Sequence, residues 1–504
     1  MDNETCSYFG RKKQDEKFML TESLRNKALK GVMWSAVERF SVQGLQFALS
    51  IIIARLVSPS DFGLIAMLSV FIAISQTFVD SGFSNALIQK KDRTEVDFST
   101  VFYFNIVVSL IVYYILFLIA PFISSFYDEP QLDIICKFTG LSIIVSSFSI
   151  VQRTKLNITL NYKLQAKISF IAVFFSGIIG VMLAWKGYGV WALVIQTLLN
   201  KFIETFLFWI IVRWTPSKTF SISSFRLLFA FGSKILAGAL LATLCSNMYN
   251  LVIGKKYDPV NVGYFTRSYS LASFPSDNIG TIISRVTYPI LCSVQDDQNK
   301  LNEILLKYVS MTAYLLFPLM VGVSVLSKPL IICLLTEKWL PVADLLTIIC
   351  IASMWHPISY INWQMLNVKG RSDLSLKTEI IKRIFQFLIL LITIDFGIKM
   401  IAVGLLIYYV IEFVVILYFL RSIFEIRFFD IIQGIYPAIY LSAIMGVCLY
   451  LCTLLNIQNF IKVLFSCILG VISYILFSEI TKNKNYCIIK NIIKQQYEII
   501  KKNE

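Results

Sequence analysis

The chain has 504 residues, 57% of them hydrophobic and only 15% charged, with a mean hydropathy of +0.71. Soluble domains carry about one-quarter charged residues, so this composition excludes a soluble enzyme and points to a membrane protein. A formal net charge of +15 also suits nucleic-acid binding, so the placement of the basic residues has to decide between the two.

The first 30 residues are polar and basic, with no apolar h-region before a small-residue cleavage site. No removable signal peptide is expected, and the N-terminus is expected in the cytoplasm. Apolar runs and breakers then predict spans near 32–54, 62–88, 101–124, 131–152, 167–185, 190–212, 228–253, 262–290, 305–327, 342–366, 380–396, 399–420, 435–455 and 460–480. At about 20 residues per helical crossing, fourteen spans take roughly 280 residues, which the apolar content supplies. Runs such as FIAISQTFV and VIQTLLNKFIETFLFWIIV lack the alternation of membrane-barrel strands. The expected class is therefore all-α integral membrane, with about 14 transmembrane helices. Most of the ten cysteines fall in apolar runs and none forms a C-x-x-C pair, so they read as small core hydrophobes.

Cytoplasmic loops should hold the Lys and Arg. With the N-terminus inside, 32 of the 46 basic residues fall on inner segments, among them Lys90, Lys91, Arg93, Arg153, Lys155, Lys369, Arg371, Lys382 and Arg383. Nine fall on outer segments and five inside spans. The positive charge is thus a topological signal, nucleic acid is not an expected partner, and both termini are expected to be cytoplasmic. Trp34, Trp209 and Trp214 on the inner side and Trp185, Trp191 and Trp339 on the outer side fit interfacial belts.

One turn recurs. IIIARLVSPSDFG (51–63) returns at an offset of 200 as LVIGKKYDPVNVG (251–263), so that Ile53, Pro59 and Gly63 meet Ile253, Pro259 and Gly263. Proline ends the first helix, and Asp61 or Asn261 is expected to cap the next. Six spans separate the copies, the arrangement of parallel repeats about an axis along the membrane normal.

ARLVSPSDFGLIAML (54–68), GYFTRSYSLASFP (263–275), VTYPILCSVQDD (286–297) and MLNVKGRSDL (365–374) resemble the polysaccharide-transporter branch of the multidrug/oligosaccharidyl-lipid/polysaccharide flippase superfamily. The likeness is greatest to lipopolysaccharide and exopolysaccharide exporters of the Wzx or colanic-acid-exporter type, over roughly residues 25–425. It implies two six-helix lobes facing a central cavity, two further C-terminal helices and alternating access. The expected parts are a cytoplasmic segment 1–30, an N-lobe 31–215, a C-lobe 226–425, helices 13 and 14 in 430–481 and a basic cytoplasmic tail 482–504. The implied substrate is an oligosaccharide repeat unit on undecaprenyl pyrophosphate, moved across the bacterial cytoplasmic membrane. A polysaccharide polymerase and export machinery are the further expected partners.

Carrying a pyrophosphate and a hydrated sugar through hydrocarbon needs a polar, preferably cationic, lining. The basic residues inside predicted spans are Arg39, Lys201, Lys234, Arg267 and Arg285. Each charge costs about 2.5–3.5 kcal/mol near the bilayer centre, so each should face a partner or water. Lys201 has Glu204 one turn away and reads as a structural pair. Arg39, Lys234, Arg267 and Arg285 are the candidate substrate-binding residues. Against that role, Arg39 could pair with Glu38 at the interface, and Arg267 and Arg285 could snorkel from opposite ends of one span. Glu38 and Asp80 are the candidate coupling carboxylates; Asp80, before Ser81 and Gly82, also reads as a helix-breaking turn. His356, the single histidine, sits in MWHPISYINWQ and reads as a core residue beside Pro357.

No nucleotide-binding signature, metal-ligand pattern or catalytic constellation is present. A secondary transporter or facilitator without cofactor is expected, with a proton or sodium gradient as the candidate driver. A cation-coupled small-molecule exporter of the same superfamily stays open as an alternative. So does a membrane glycosyltransferase or ligase, although the short outer loops offer only the YDEP cluster (127–130) for chemistry.

Overall fold

The computed structural model describes residues 41–80, 82–424, 428–491 and 494; the side chains of Arg285 and Val286 lie outside the described set. The chain divides into two compact units, Met1–Leu251 and Val252–Glu504. The first holds α1 (Ser41–Leu56), α2 (Pro59–Asp80), α3 (Phe83–Gln89), α4 (Glu95–Tyr127), α5 (Gln131–Ser147), α6 (Ile150–Ile158), α7 (Tyr162–Trp185), α8 (Val190–Val212) and most of α9 (Ile222–Lys256). The second holds α10 (Pro259–Ser293), α11 (Gln298–Val325), α12 (Ser327–Leu334), α13 (Pro341–Ser353), α14 (His356–Val368), α15 (Ser372–Thr393), α16 (Ile398–Arg421), α17 (Phe428–Thr453) and α18 (Asn459–Ile480).

The protein is a multi-pass membrane protein whose regular elements are all helices among the described residues, as expected where lipid offers no partner to an unsatisfied peptide group. Among the described residues ten helices are long and apolar enough to cross a membrane, with α2–α3 and α13–α14 each counted as one. The bent pair α5–α6 makes eleven. Three expected spans, α1, α10 and α15, fall short of that measure, α1 being described only over Ser41–Leu56. Polar residues run along α10, and Lys377, Glu379, Lys382 and Arg383 crowd the first half of α15. Inside the first unit α5 packs against α2, α4 and α8, and α7 pairs with α8. Inside the second, α13 packs against α10, α11 and α16, while α17 lies along α11 and α18.

The repeated turn has the same build in both units. Val57 N–H donates to Ile53 O and Tyr257 N–H to Ile253 O, each at 2.8 Å, and both isoleucines are buried. The expected caps shift by three residues: Ser58 and Asp258 are the N-caps, not Asp61 and Asn261. Ser58 Oγ donates to Asp61 Oδ2 at 2.6 Å and accepts from Asp61 N–H at 3.2 Å, while Asp258 Oδ1 accepts from Asn261 N–H at 2.9 Å. Pro59 and Pro259 then open the next helix, where a missing N–H leaves nothing unsatisfied.

A second correspondence, not evident from the first, lies further along. Leu156-Asn157-Ile158 and Leu366-Asn367-Val368 end α6 and α14 in one pattern: Leu160 and Gly370 N–H donate to Asn157 O and Asn367 O, and Asn161 and Arg371 N–H to Leu156 O and Leu366 O. Leu160 and Gly370 are both left-handed, at φ 55° and 68°. Left-handed Gly189 and Gly397 then cap α8 and α16.

Candidate functional site

The first unit encloses a polar cavity of about 440 Å³ bounded by the end of α2, the junction of α5 with α6, α8 and α9. Two backbone breaks make room for it. At the first, α2 ends at Asp80 and Gly82 turns left-handed at φ 69°; a Cβ on Gly82 would stand 2.5 Å from Gly232 O of α9. Only glycine fits that conformation and that approach.

At the second break α5 and α6 meet at 45° without proline or glycine. The sequence there is Ser146-Ser147-Phe148-Ser149, and the serine hydroxyls turn back onto their own helix: Ser146 Oγ donates to Ile143 O at 2.9 Å and Ser147 Oγ to Ile144 O at 2.7 Å. Such back-bonding bends helices. The neighbouring carbonyls find donors on α8, with Thr205 Oγ1 3.1 Å from Val145 O and Trp209 Nε1 3.0 Å from Phe148 O. The bend thus has its backbone satisfied, and it swings Arg153 toward α8.

There Arg153 Nη2 meets Glu204 Oε1 at 2.5 Å, Lys201 Nζ meets Oε2 at 3.3 Å, and Ser169 Oγ donates to Oε1 at 3.2 Å. Glu204 is buried at 6% exposure. The side chains of Arg153 and Lys201 stay 40% and 36% exposed and line the cavity. Across from them Asp80 Oδ1 accepts from Gln76 Nε2 at 3.3 Å, and Ser146 Oγ donates to Gln76 Oε1 at 3.0 Å. One carboxylate therefore serves two cations, both of which keep donors for an anion, beside amide and hydroxyl groups suited to a polyhydroxylated ligand.

The sequence candidates distribute unevenly around this site. Asp80 lines the cavity, and Lys201 with Glu204 forms the expected pair. Lys234 is exposed on α9, where its neighbours Ile235 and Ala239 line the cavity. Arg267 is buried in α10 at 6% exposure. The Arg285 side chain, Glu38 and Arg39 lie outside the described residues. His356 opens α14 with its ring edge-on to Tyr409 at 5.6 Å. Arg153, expected on a cytoplasmic segment, is a wall of the cavity. The signal for it was Glu204 itself, a carboxylate deep in an apolar helix with a second oxygen to share beyond the one that meets Lys201.

The second unit has a related cluster. Lys382 Nζ lies 2.9 Å from Glu412 Oε1 and 2.7 Å from Glu379 Oε1, with Lys382 and Glu412 both buried. Lys382 also lies 6.0 Å from the ring centroid of Trp363. Lys382 and Arg383, expected on a cytoplasmic basic segment, belong to α15, and Lys382 is buried. Trp339, expected at the outer interface, is fully buried.

Residues 52–344 match the family described as polysaccharide biosynthesis protein, more than half of the chain. The chain belongs to that family. Family relatives include the lipopolysaccharide biosynthesis protein WzxC of Escherichia coli (strain K12), 26% identical over 362 residues, covering 71% of this chain and 74% of WzxC. The succinoglycan biosynthesis transport protein ExoT of Rhizobium meliloti (strain 1021) is 23% identical over 310 residues, covering 62% of this chain and 63% of ExoT. Among solved structures, the lipid II flippase MurJ in an inward closed conformation superposes with a TM-score of 0.76 at 17% identity, over 89% of this chain and 98% of MurJ. At that identity the likeness is one of fold.

Proposed function

We propose that the protein is a flippase for lipid-linked oligosaccharides in the biosynthesis of a surface polysaccharide. The observation that carries this reading is the water-reachable cavity lined by Arg153 and Lys201 inside a helical membrane unit. Family membership and the fold shared with the flippase MurJ support it. The protein is a transporter and not an enzyme.

The substrate we infer is an oligosaccharide repeat unit on undecaprenyl pyrophosphate. A pyrophosphate loses its hydration on leaving water, and the Arg153 guanidinium offers it a planar pair of donors while Lys201 offers a point charge. Glu204 holds both cations while the site is empty of substrate, so that neither stands uncompensated in a low-dielectric wall. The sugars meet Gln76, Asn85, Ser146 and Asn157. Arg39, Lys234, Arg267 and Arg285 are further candidate substrate-binding residues in this proposal, and Glu38 and Asp80 are the candidates to exchange a proton or sodium ion that drives the cycle.

We further infer fourteen crossings, as an N-lobe (31–215) and a C-lobe (226–425) of six helices each in parallel repeat, then two helices in 430–481. The two recurring turns support the repeat. The membrane is the bacterial cytoplasmic membrane, with both termini (1–30 and 482–504) in the cytoplasm, and transport proceeds by alternating access. Polymerase and export machinery would take the product onward. Deleting the gene tests the whole reading: undecaprenyl-linked repeat units should accumulate on the cytoplasmic side while surface polysaccharide is lost. Normal surface glycan with altered drug resistance would replace the flippase by a small-molecule exporter.

A further inference from the structure

A second polar cavity, of about 840 Å³, lies wholly within the second unit, where α11 and α17 begin and α18 has ended. Its outer wall is the segment after α18. Lys482 turns left-handed at φ 49°, and residues 484–491 form a short helix that folds back. Asn483 and Asn485, both buried, pin that helix. Asn483 Oδ1 accepts from Asn485 N–H at 2.9 Å, and Asn485 Nδ2 donates to Ser310 Oγ at 2.6 Å on α11. Ser310 Oγ in turn donates to Gly434 O of α17 at 2.9 Å, so one chain of hydrogen bonds joins all three walls. The cavity is built into the fold and is more than a gap beside a loose tail.

Its charges are mixed. Lys307, Lys482 and Lys484 line it together with Glu303 and Asp430. Among the described residues Glu303 and the three lysines make no ion pair, although all face one space. A doubly charged anion would gain the lysines but meet the Glu303 carboxylate. A ligand bearing a phosphate and an ammonium satisfies both. Tyr436 and Tyr440 of α17 also line the cavity and are 62% and 48% exposed. Their helix face continues through Val447 and Leu451, at 62% and 59% exposure, as an apolar track leading away from the charges. A headgroup held at the end of a lipid-facing track is the geometry of a bound phospholipid.

We propose that this cavity is a binding site for a phospholipid with a zwitterionic phosphoethanolamine headgroup. Its phosphate sits among Lys307, Lys482 and Lys484, and its primary ammonium donates to Glu303. The acyl chains lie along α17. A trimethylated headgroup carries the same charges but has no N–H to donate, and a glycerol headgroup has no cation. The site is independent of the flippase reading, which can fail while this one holds.

The test uses the delipidated full-length protein in detergent, titrated with dioleoyl phosphatidylethanolamine, phosphatidylglycerol and phosphatidylcholine and read by native mass spectrometry. Phosphatidylethanolamine should bind about fivefold better than either competitor, the scale of one partly exposed ion pair. Glu303→Gln should erase that preference, Glu303→Asp should keep most of it, and Lys482→Met with Lys484→Met should weaken all three lipids. Equal binding of the three lipids by the unaltered protein overturns the proposal without any variant. So does a preference that survives in Glu303→Gln. If phosphorylethanolamine without acyl chains displaces the lipid at equal concentration, the site takes a soluble ligand and the lipid assignment is wrong.

Discussion

Glu204 and Glu412 occupy the same slot in two units and are used in opposite ways. Each is the fifteenth residue of a helix capped by a left-handed glycine, α8 from Val190 and α16 from Ile398, and each follows an isoleucine. In the first unit one buried carboxylate holds two half-exposed cations beside a cavity. In the second, one buried lysine holds two carboxylates, and one of those is buried as well. A charge in an apolar bundle must be compensated in either case. What differs is whether donors are left over. Arg153 and Lys201 have N–H groups to spare for a ligand, whereas Lys382 spends its ammonium on Glu379 and Glu412. The first cluster is suited to binding and the second to holding α15 against α16.

The comparison breaks most sharply at Lys382. Lys382→Met leaves Glu412 buried without its cation, and removing one partner of a buried pair costs about 3–5 kcal/mol. Thermal unfolding of the purified protein should show that loss, with membrane abundance falling alongside. Lys382→Met with Glu412→Leu should recover most of it, since no isolated charge remains. If the single variant unfolds like the parent, the second cluster is not structural.

Arg153→Ala should behave differently. Lys201 still neutralises Glu204, and a guanidinium 40% exposed contributes about 1 kcal/mol or less to folding. Polysaccharide export at equal membrane abundance should nevertheless fall about tenfold, equivalent to ~1.4 kcal/mol of lost substrate interaction. Arg153→Lys should restore only part, because an ammonium cannot reproduce the planar pair of donors. Unchanged export in Arg153→Ala would move the substrate path away from this cavity while leaving the deletion phenotype intact.

Much of this was legible in the sequence, and the failures have a common cause. Hydropathy marks where a helix runs but not where it bends. Apolar runs located the helices, and the Lys201–Glu204 spacing announced their pair. The α5–α6 break escaped notice because serines make it, with Thr205 and Trp209 supplying distant donors, so Arg153 was read as the end of a span. The burial of Lys382 is hidden for the same kind of reason. That lysine stands in a dense run of charges that resembles a cytoplasmic loop, and only Glu412, thirty residues on, shows that α15 turns it inward. The second repeated turn was hidden because its likeness lies in backbone geometry, with Leu160 in one copy and Gly370 in the other.

The smallest effects belong to the two hairpins, where the comparison is closest to symmetry. Ser58 and Asp258 each cap a helix that begins with proline, so Ser58→Ala and Asp258→Ala should each cost about 1 kcal/mol, read as a lowered unfolding midpoint. The two should not be equal. Ser58 exchanges hydrogen bonds with Asp61 in both directions, so its loss leaves the Asp61 carboxylate with only the 3.3 Å bond from the backbone N–H of residue 58. Asp258 accepts from the Asn261 backbone and side chain, and Asn261 keeps a neutral amide that water can satisfy. Ser58→Ala should therefore be rescued in part by Asp61→Asn, which puts at position 61 the neutral amide that the second hairpin has at Asn261. Asn261→Asp in the second hairpin should instead destabilise, by placing two carboxylates against each other. If both exchanges are silent, the turns share a shape but their capping pairs do not set it.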